Sequence, residues 1–141
     1  MVLTDFKEIF NKAKTIVMVG CSPDPYRTSN YIANFLMERG YDIIPVNPGQ
    51  DEILGQTCYA SISNIPGHIT IDIINVFRNS RYTESLMNEI VEWRKQSKQN
   101  PVVWTQLDVS SPAAEEIALK ESIPYISNRC IMVEWERVDN T

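Results

Sequence analysis

Five short apolar runs, each followed by a polar turn and mostly by a segment of helical spacing, constrain this chain more than any other feature. TIVMV (15–19), DIIPV (42–46), IDIINVF (71–77), PVVWTQ (101–106) and IPYIS (123–127) are rich in β-branched and aromatic residues. Near-continuous apolar runs of this length are strands covered on both faces. After the first run, Ile32, Phe35 and Leu36 share one face of a helix expected from about 30 to 39, with Thr28 or Ser29 as its cap and Gly40 in the left-handed position past its end. Tyr82, Leu86, Ile90 and Trp93 repeat the spacing over about 81–97. Ser111 followed by Pro112 signals a cap and first turn, opening a helix to about 121. Strands alternating with helices in this way make right-handed βαβ units around a parallel sheet. The expected fold is therefore α/β: a single Rossmann-like domain whose mainly parallel five-stranded sheet has the order 3-2-1-4-5, with helices on both faces.

The remaining segments read less sharply. Residues 4–14 suit a short amphipathic helix with Phe6, Ile9 and Phe10 on one side. Pro45 places the second run near a strand end or on an irregular edge. Residues 47–69, broken by prolines and glycines, read as loops with a short helix around 60–65. The tail IMVEWERV (131–138) suits a strand or a helix, and its alternation favours a strand.

Composition narrows the function classes. At 141 residues the chain is expected to be one domain. A net charge of −5, with no basic cluster beyond RKQSK (94–98), argues against nucleic acid as a partner. No apolar run approaches the ~20 residues of a membrane span and the first ten residues lack a signal-peptide pattern, so the expected location is the cytoplasm, away from membranes. Cys21, Cys58 and Cys130 are far apart and the chain has a single histidine, His68, which argues against a zinc site or a disulfide framework.

In open parallel sheets, ligands sit beyond the carboxyl ends of the strands. The segments there are GCSPDPYRTS, NPGQ, RNSR, QLDVSS and NRC. All are polar and three contain arginine, which on an acidic chain implies a localised anion site. The first turn is not a dinucleotide fingerprint: Gly20 stands alone, Ser22 replaces the second glycine, and Asn47-Pro48 ends the second run where a carboxylate should read a ribose. Nor is it a P-loop, since GK[ST] is missing. It offers instead a helix start near Ser29, the hydroxyls of Ser22 and Thr28, and the charge of Arg27, a set suited to a phosphate.

VGCSPDPYRTSNYI, IIPVNP, ILGQTCYASI, IDIINVFRNS, VVWTQL and ISNRCIMVE together resemble the small stand-alone CoA-binding proteins, which are similar to the CoA-binding domain of the succinyl-CoA synthetase α subunit. The resemblance covers about residues 10–136. It implies that coenzyme A or an acyl-CoA is held by the turns after the parallel strands. Carried across, Gly20, Ser22, Arg27 and Ser29 would wrap the phosphates, and Asn47 and Pro48 would lie against the adenosine. Phe77 and Arg78 would line the next side, with Gln106 beyond. Asp108 departs from the family, which commonly has glycine there; its carboxylate would repel a phosphate, so that loop faces solvent or the uncharged pantetheine arm.

Each residue also has a plain structural reading. Gly20 can serve turn geometry, Arg27 can pair with Asp24, and Arg78 can cap a helix or bridge to Asp72 or Glu84. Asn47 can form an Asx-turn, Phe77 and Trp104 can be core or pocket wall, and His68 can be a surface loop residue. No nucleophile–base constellation can be assigned to one rim, and the phosphorylated histidine of succinyl-CoA synthetase belongs to a second domain that this chain lacks. The expected function is a carrier, sensor or regulatory module without catalysis. The alternatives are a subunit or regulator of an acyl-CoA enzyme, an NAD(P) oxidoreductase, or a thiol-redox protein using Cys21. A protein partner or homo-oligomer is left open, and Cys21 is expected to be structural.

Overall fold

The computed structural model describes residues 5–139. Helix α1 (Phe6–Lys12) leads into β1 (Thr15–Val19), α2 (Thr28–Glu38) and β2 (Asp42–Val46). A small antiparallel hairpin, β3 (Glu52–Ile53) and β4 (Gln56–Thr57), and a 3-10 turn at Ile62–Asn64 precede β5 (Ile73–Val76). A second 3-10 turn, Ser80–Tyr82, opens α3 (Thr83–Ser97), followed by β6 (Val102–Thr105), α4 (Pro112–Lys120), β7 (Tyr125–Ile126) and α5 (Ile131–Asp139). The predicted start of the first helix at residue 4 lies outside the described residues.

The α/β class and the five-stranded parallel sheet are as expected, but the strand order is not. The sheet runs β2-β1-β5-β6-β7, so the five predicted runs stand as 2-1-3-4-5 and not as 3-2-1-4-5. Pro45 supplies the physical reason. Its carbonyl faces outward, accepting from Tyr59 N at 3.1 Å, while Val46 O faces inward and accepts from Gly20 N at 2.9 Å. The N–H that proline lacks would have pointed to the same outer side as its carbonyl, so a full strand could not pair there. β2 is an edge of the sheet, met on its outer side by the strand-like bridge from Val46 to Tyr59. β5, buried along its whole length, takes the place beside β1, with Val17 opposite Ile74 and Val19 opposite Val76.

Side chains alternate across this sheet into two cores. Val17, Val19, Ile74 and Val76 meet Leu86 and Ile90 of α3 and Ala114 of α4. Ile16, Met18, Ile73 and Trp104 meet Phe10 of α1, Ile32 and Leu36 of α2, and Ile131 of α5. Full burial of each large aliphatic chain contributes roughly 1.5–3 kcal/mol, so both layers hold the strand ends at fixed height.

Local signals behaved unevenly. Ser111 caps α4, its Oγ accepting from Ala114 N at 3.2 Å, with Pro112 in the first turn. Gly40, at φ +93°, closes α2: Gly40 N donates to Met37 O at 3.0 Å and Tyr41 N to Leu36 O at 3.3 Å. The tail is a helix, α5, and not the favoured strand. Ile131, Glu134, Trp135 and Val138 recur at helical spacing, and Trp135 meets Phe35 edge-on at 5.6 Å. The loop expected over 47–69 contains the hairpin, turned by Leu54 and Gly55, both at positive φ.

Candidate functional site

The chain leaves β1 for one side of the sheet and, after β2, crosses to the other side to enter β5. The crevice between the carboxyl ends of β1 and β5 is thus the topological switch point. Gly20 sits at its floor with φ +85°. A Cβ on Gly20 would lie 2.8 Å from Phe77 O and 2.9 Å from Arg78 Cγ. Turn geometry and close approach therefore both demand glycine here.

The segment from Ser22 to Asn30 is laced to itself. Ser22 N donates to Ser29 Oγ at 2.9 Å, Asn30 Nδ2 donates to Ser22 O at 2.9 Å, and Asp24 N donates to Ser22 Oγ at 3.1 Å. Tyr26 N donates to Asp24 Oδ1 at 2.9 Å and Arg27 N to Asp24 O at 3.0 Å. Each serine hydroxyl thus accepts a backbone N–H, which leaves its own proton to donate outward. The expected cap is corrected: Arg27, not Thr28 or Ser29, occupies the cap position of α2, and no side chain bonds the first turn. Ser29 lies inside the first turn, past the cap, and its Oγ accepts from the Ser22 N–H instead. The first intrahelical bond is Tyr31 N to Arg27 O at 3.1 Å. The N–H groups of Thr28, Ser29 and Asn30 have no partner within the helix, and Thr28 and Ser29 line a cleft of about 610 Å³ together with Gly20, Ser22, Arg27, Asn47 and Phe77.

A second cleft of about 300 Å³ adjoins it, sharing Gly20, Asn47 and Phe77. Its walls are Val46, Pro48, Ala60 and Tyr82, with Arg78 and Asn79 on one side. Asn47 ties the two clefts together. Its Nδ2 donates to Cys21 O at 2.9 Å and its Oδ1 accepts from Gly49 N at 3.0 Å. The Asx-turn is real, and the amide also fixes the first turn against the second strand.

The structure brings together every predicted site residue except Gln106. That side chain is buried away from both clefts, and its Oε1 accepts from Ile131 N at 3.0 Å. Asp108, also outside the clefts, has φ +62°, the conformation that glycine adopts freely, and its N–H donates to Asn128 Oδ1 at 3.0 Å. Tyr26, Ala60, Asn79 and Tyr82 also line the clefts and escaped the sequence reading. Ala60 and Asn79 carry no local signal. Tyr82 looked like a helix-face residue, yet it ends the 3-10 turn ahead of α3 and is half exposed.

The electrostatics favour an anion. Among the described residues, the ion pairs engage Lys12, Arg39, Lys95, Arg129 and Arg137. Arg27 and Arg78 are in none of them. Asp24 spends its carboxylate on Tyr26 N, and Asp72 lies at the opposite end of the sheet, accepting from Lys14 N and Thr15 N. Cys21 is fully buried, and burial first, then the neighbouring Cys58, pushes its thiol up to about 11. A thiolate is therefore suppressed despite the nearby helix start. No cluster of His, Cys, Asp or Glu suited to a metal ion exists among the described residues, and none of their helices is long and apolar enough to cross a membrane.

A family model described as a CoA binding domain matches residues 14–136, a span that contains both clefts. The chain belongs to this CoA-binding domain family. It is 36% identical over 129 residues to YneT, an uncharacterized protein of Bacillus subtilis (strain 168), covering 92% of this chain and 90% of that protein. A hypothetical protein from Pyrococcus horikoshii OT3 has the same fold, with a TM-score of 0.86 and 33% identity across 98% of this chain and 92% of that one. A stretch of 63 residues is 35% identical to the ADP-forming acetate–CoA ligase I of Archaeoglobus fulgidus, covering 45% of this chain and 9% of that ligase. This CoA-binding domain family member is thus related to domains of acyl-CoA synthetases.

Proposed function

We propose that the protein binds coenzyme A or an acyl-CoA across the two clefts, as a carrier, sensor or regulatory module. The observation that carries this reading is the start of α2. An eleven-residue helix begins with no side-chain cap, beside an arginine free of carboxylates, at a cleft large enough for a diphosphate. Free N–H groups, the positive helix end and a guanidinium together favour phosphate oxygens. Ser22 and Ser29 add two hydroxyl donors. The second cleft, with Val46, Pro48 and Phe77 as apolar walls, suits the adenosine. Membership of the CoA-binding domain family supports the choice of ligand.

An NAD(P) reading is disfavoured because no carboxylate ends β2 and the Asn47 amide that stands there is already engaged. A thiol-redox reading is disfavoured by the raised thiol of Cys21. Calorimetric titration with CoA, acetyl-CoA, NAD and ATP tests the proposal. CoA should bind at least tenfold more tightly than NAD, and CoA at 100 times its Kd should add about 2.7 kcal/mol of stability. Equal or tighter binding of NAD would contradict it.

A further inference from the structure

Arg78 and Arg81 both stand over the ring of Tyr82, their guanidinium carbons 5.0 and 5.5 Å from its centroid. Neither takes part in the ion pairs of the described residues. On a chain of net charge −5, two arginines gathered on one tyrosine without a carboxylate are an expense of like-charge repulsion that an arriving anion would relieve. The group is also held in place. The stem of Arg78 lies against Gly20, with Cγ 2.9 Å from where a Cβ would be. Asn79 Oδ1 accepts from Arg81 N at 3.0 Å and Asn79 O accepts from Tyr82 N at 2.9 Å, which fixes the turn. Arg78 and Tyr82 line the second cleft directly, and no residue of α2 does.

We infer that Arg78, Arg81 and Tyr82 form a second anion subsite, which takes a phosphomonoester on the ribose of the bound adenosine. The inference rests on the proposed CoA function and adds its specificity. The start of α2 serves a diphosphate, which many nucleotides carry. A phosphate on the 3′ oxygen of the ribose distinguishes CoA from dephospho-CoA, from NAD and from ADP. It is close to doubly charged at neutral pH, and planar guanidinium groups suit it better than any neutral donor.

Titration of the full chain with CoA and with dephospho-CoA tests this. The parent should bind CoA at least tenfold more tightly than dephospho-CoA, with the ratio shrinking as salt rises. Arg81→Ala, an exposed position, should lower that ratio severalfold while leaving the dephospho-CoA Kd within about twofold of the parent. Arg78→Gln, which keeps the stem against Gly20, should also lower the ratio, and because Arg78 lines the second cleft its fold is checked by an unchanged urea midpoint. Unchanged dephospho-CoA binding shows that the Arg81 variant is folded and its first cleft intact. If the parent binds the two ligands alike, the subsite is wrong while CoA binding stands. If the parent binds neither, both readings fall. A preference for CoA that survives in both variants would overturn the assignment to these residues.

Discussion

Two helices begin at the carboxyl edge of the same sheet, and their first turns are treated in opposite ways. At α2 the cap position is Arg27, no side chain satisfies the opening N–H groups, and a cleft lies in front of them. At α5 the buried Gln106 reaches up from β6 and its carbonyl takes the N–H of Ile131. Both places are post-strand turns rich in donors, and by sequence both looked fit to touch a ligand. A polar residue after a strand is therefore available to a ligand only where the fold leaves it unspent. Gln106 is spent on a helix end, whereas Arg27 and the Thr28–Asn30 amides are not.

The strongest perturbation of the open side is Gly20→Ala. A φ of +85° and a backbone oxygen 2.8 Å from the new methyl leave no room for it. The variant should lose about 3 kcal/mol of stability in urea titration, and CoA binding with it. A loss under 1 kcal/mol would mean that the β1 and β5 turns are less tightly apposed than described.

A crossed pair of variants sharpens the comparison. Gln106→Ala strands a buried N–H at Ile131 and should cost about 1–3 kcal/mol of stability, while the CoA Kd stays within about twofold. Arg27→Ala should leave stability within about 0.5 kcal/mol and weaken CoA by roughly 1.5–3 kcal/mol, with pantetheine, which lacks the phosphates, unaffected. The two effects are measured by denaturant unfolding and calorimetry on the same preparations. Exchanged outcomes would reverse the assignment of the two helix starts.

A smaller effect belongs to Cys21. Its folded thiol is raised to about 11 against an ordinary 9.0, so its contribution to stability is complete below pH 9 and is lost as pH rises toward 11. Over that window the parent should lose up to about 1.4 kcal/mol per pH unit from this group, and Cys21→Ala should show a flatter fall. Iodoacetamide near pH 8 should label the half-buried Cys130 well before Cys21. Labelling of Cys21 first would revive the redox reading.

Much of this was legible in the chain itself. The five apolar runs placed every strand of the main sheet to within a few residues, because burial on both faces leaves a continuous signature. The Ser111-Pro112 start and the Gly40 end were visible because cap chemistry is local. The strand order was not legible from runs alone, since Pro45 pointed equally to a strand end or an irregular edge and only the outward side of its missing N–H decides for the edge. The α5 tail was ambiguous because MVEWE alternates in polarity and also repeats at helical spacing; the packing of Trp135 on Phe35 and the Gln106 contact decide for helix. Most of the residues that line the two clefts were readable since they follow strand ends in sequence. Tyr82 and the stacking of Arg78 and Arg81 on its ring were hidden, because a residue just before a helix has the same spacing as one inside it. The opposite fates of Gln106 and Ser29 depend on which N–H lies nearby in space, which no local pattern records.

On the proposed function, the ligand's phosphates sit at the open start of α2. Amide chemical shifts of the isotope-labelled protein, followed during CoA titration, test it most directly. Large, saturable shifts are expected at Thr28, Ser29 and Asn30, with Ile131 at the closed start of α5 unmoved. Shifts centred on Ile131 and its neighbours, with Thr28–Asn30 silent at saturation, would contradict it.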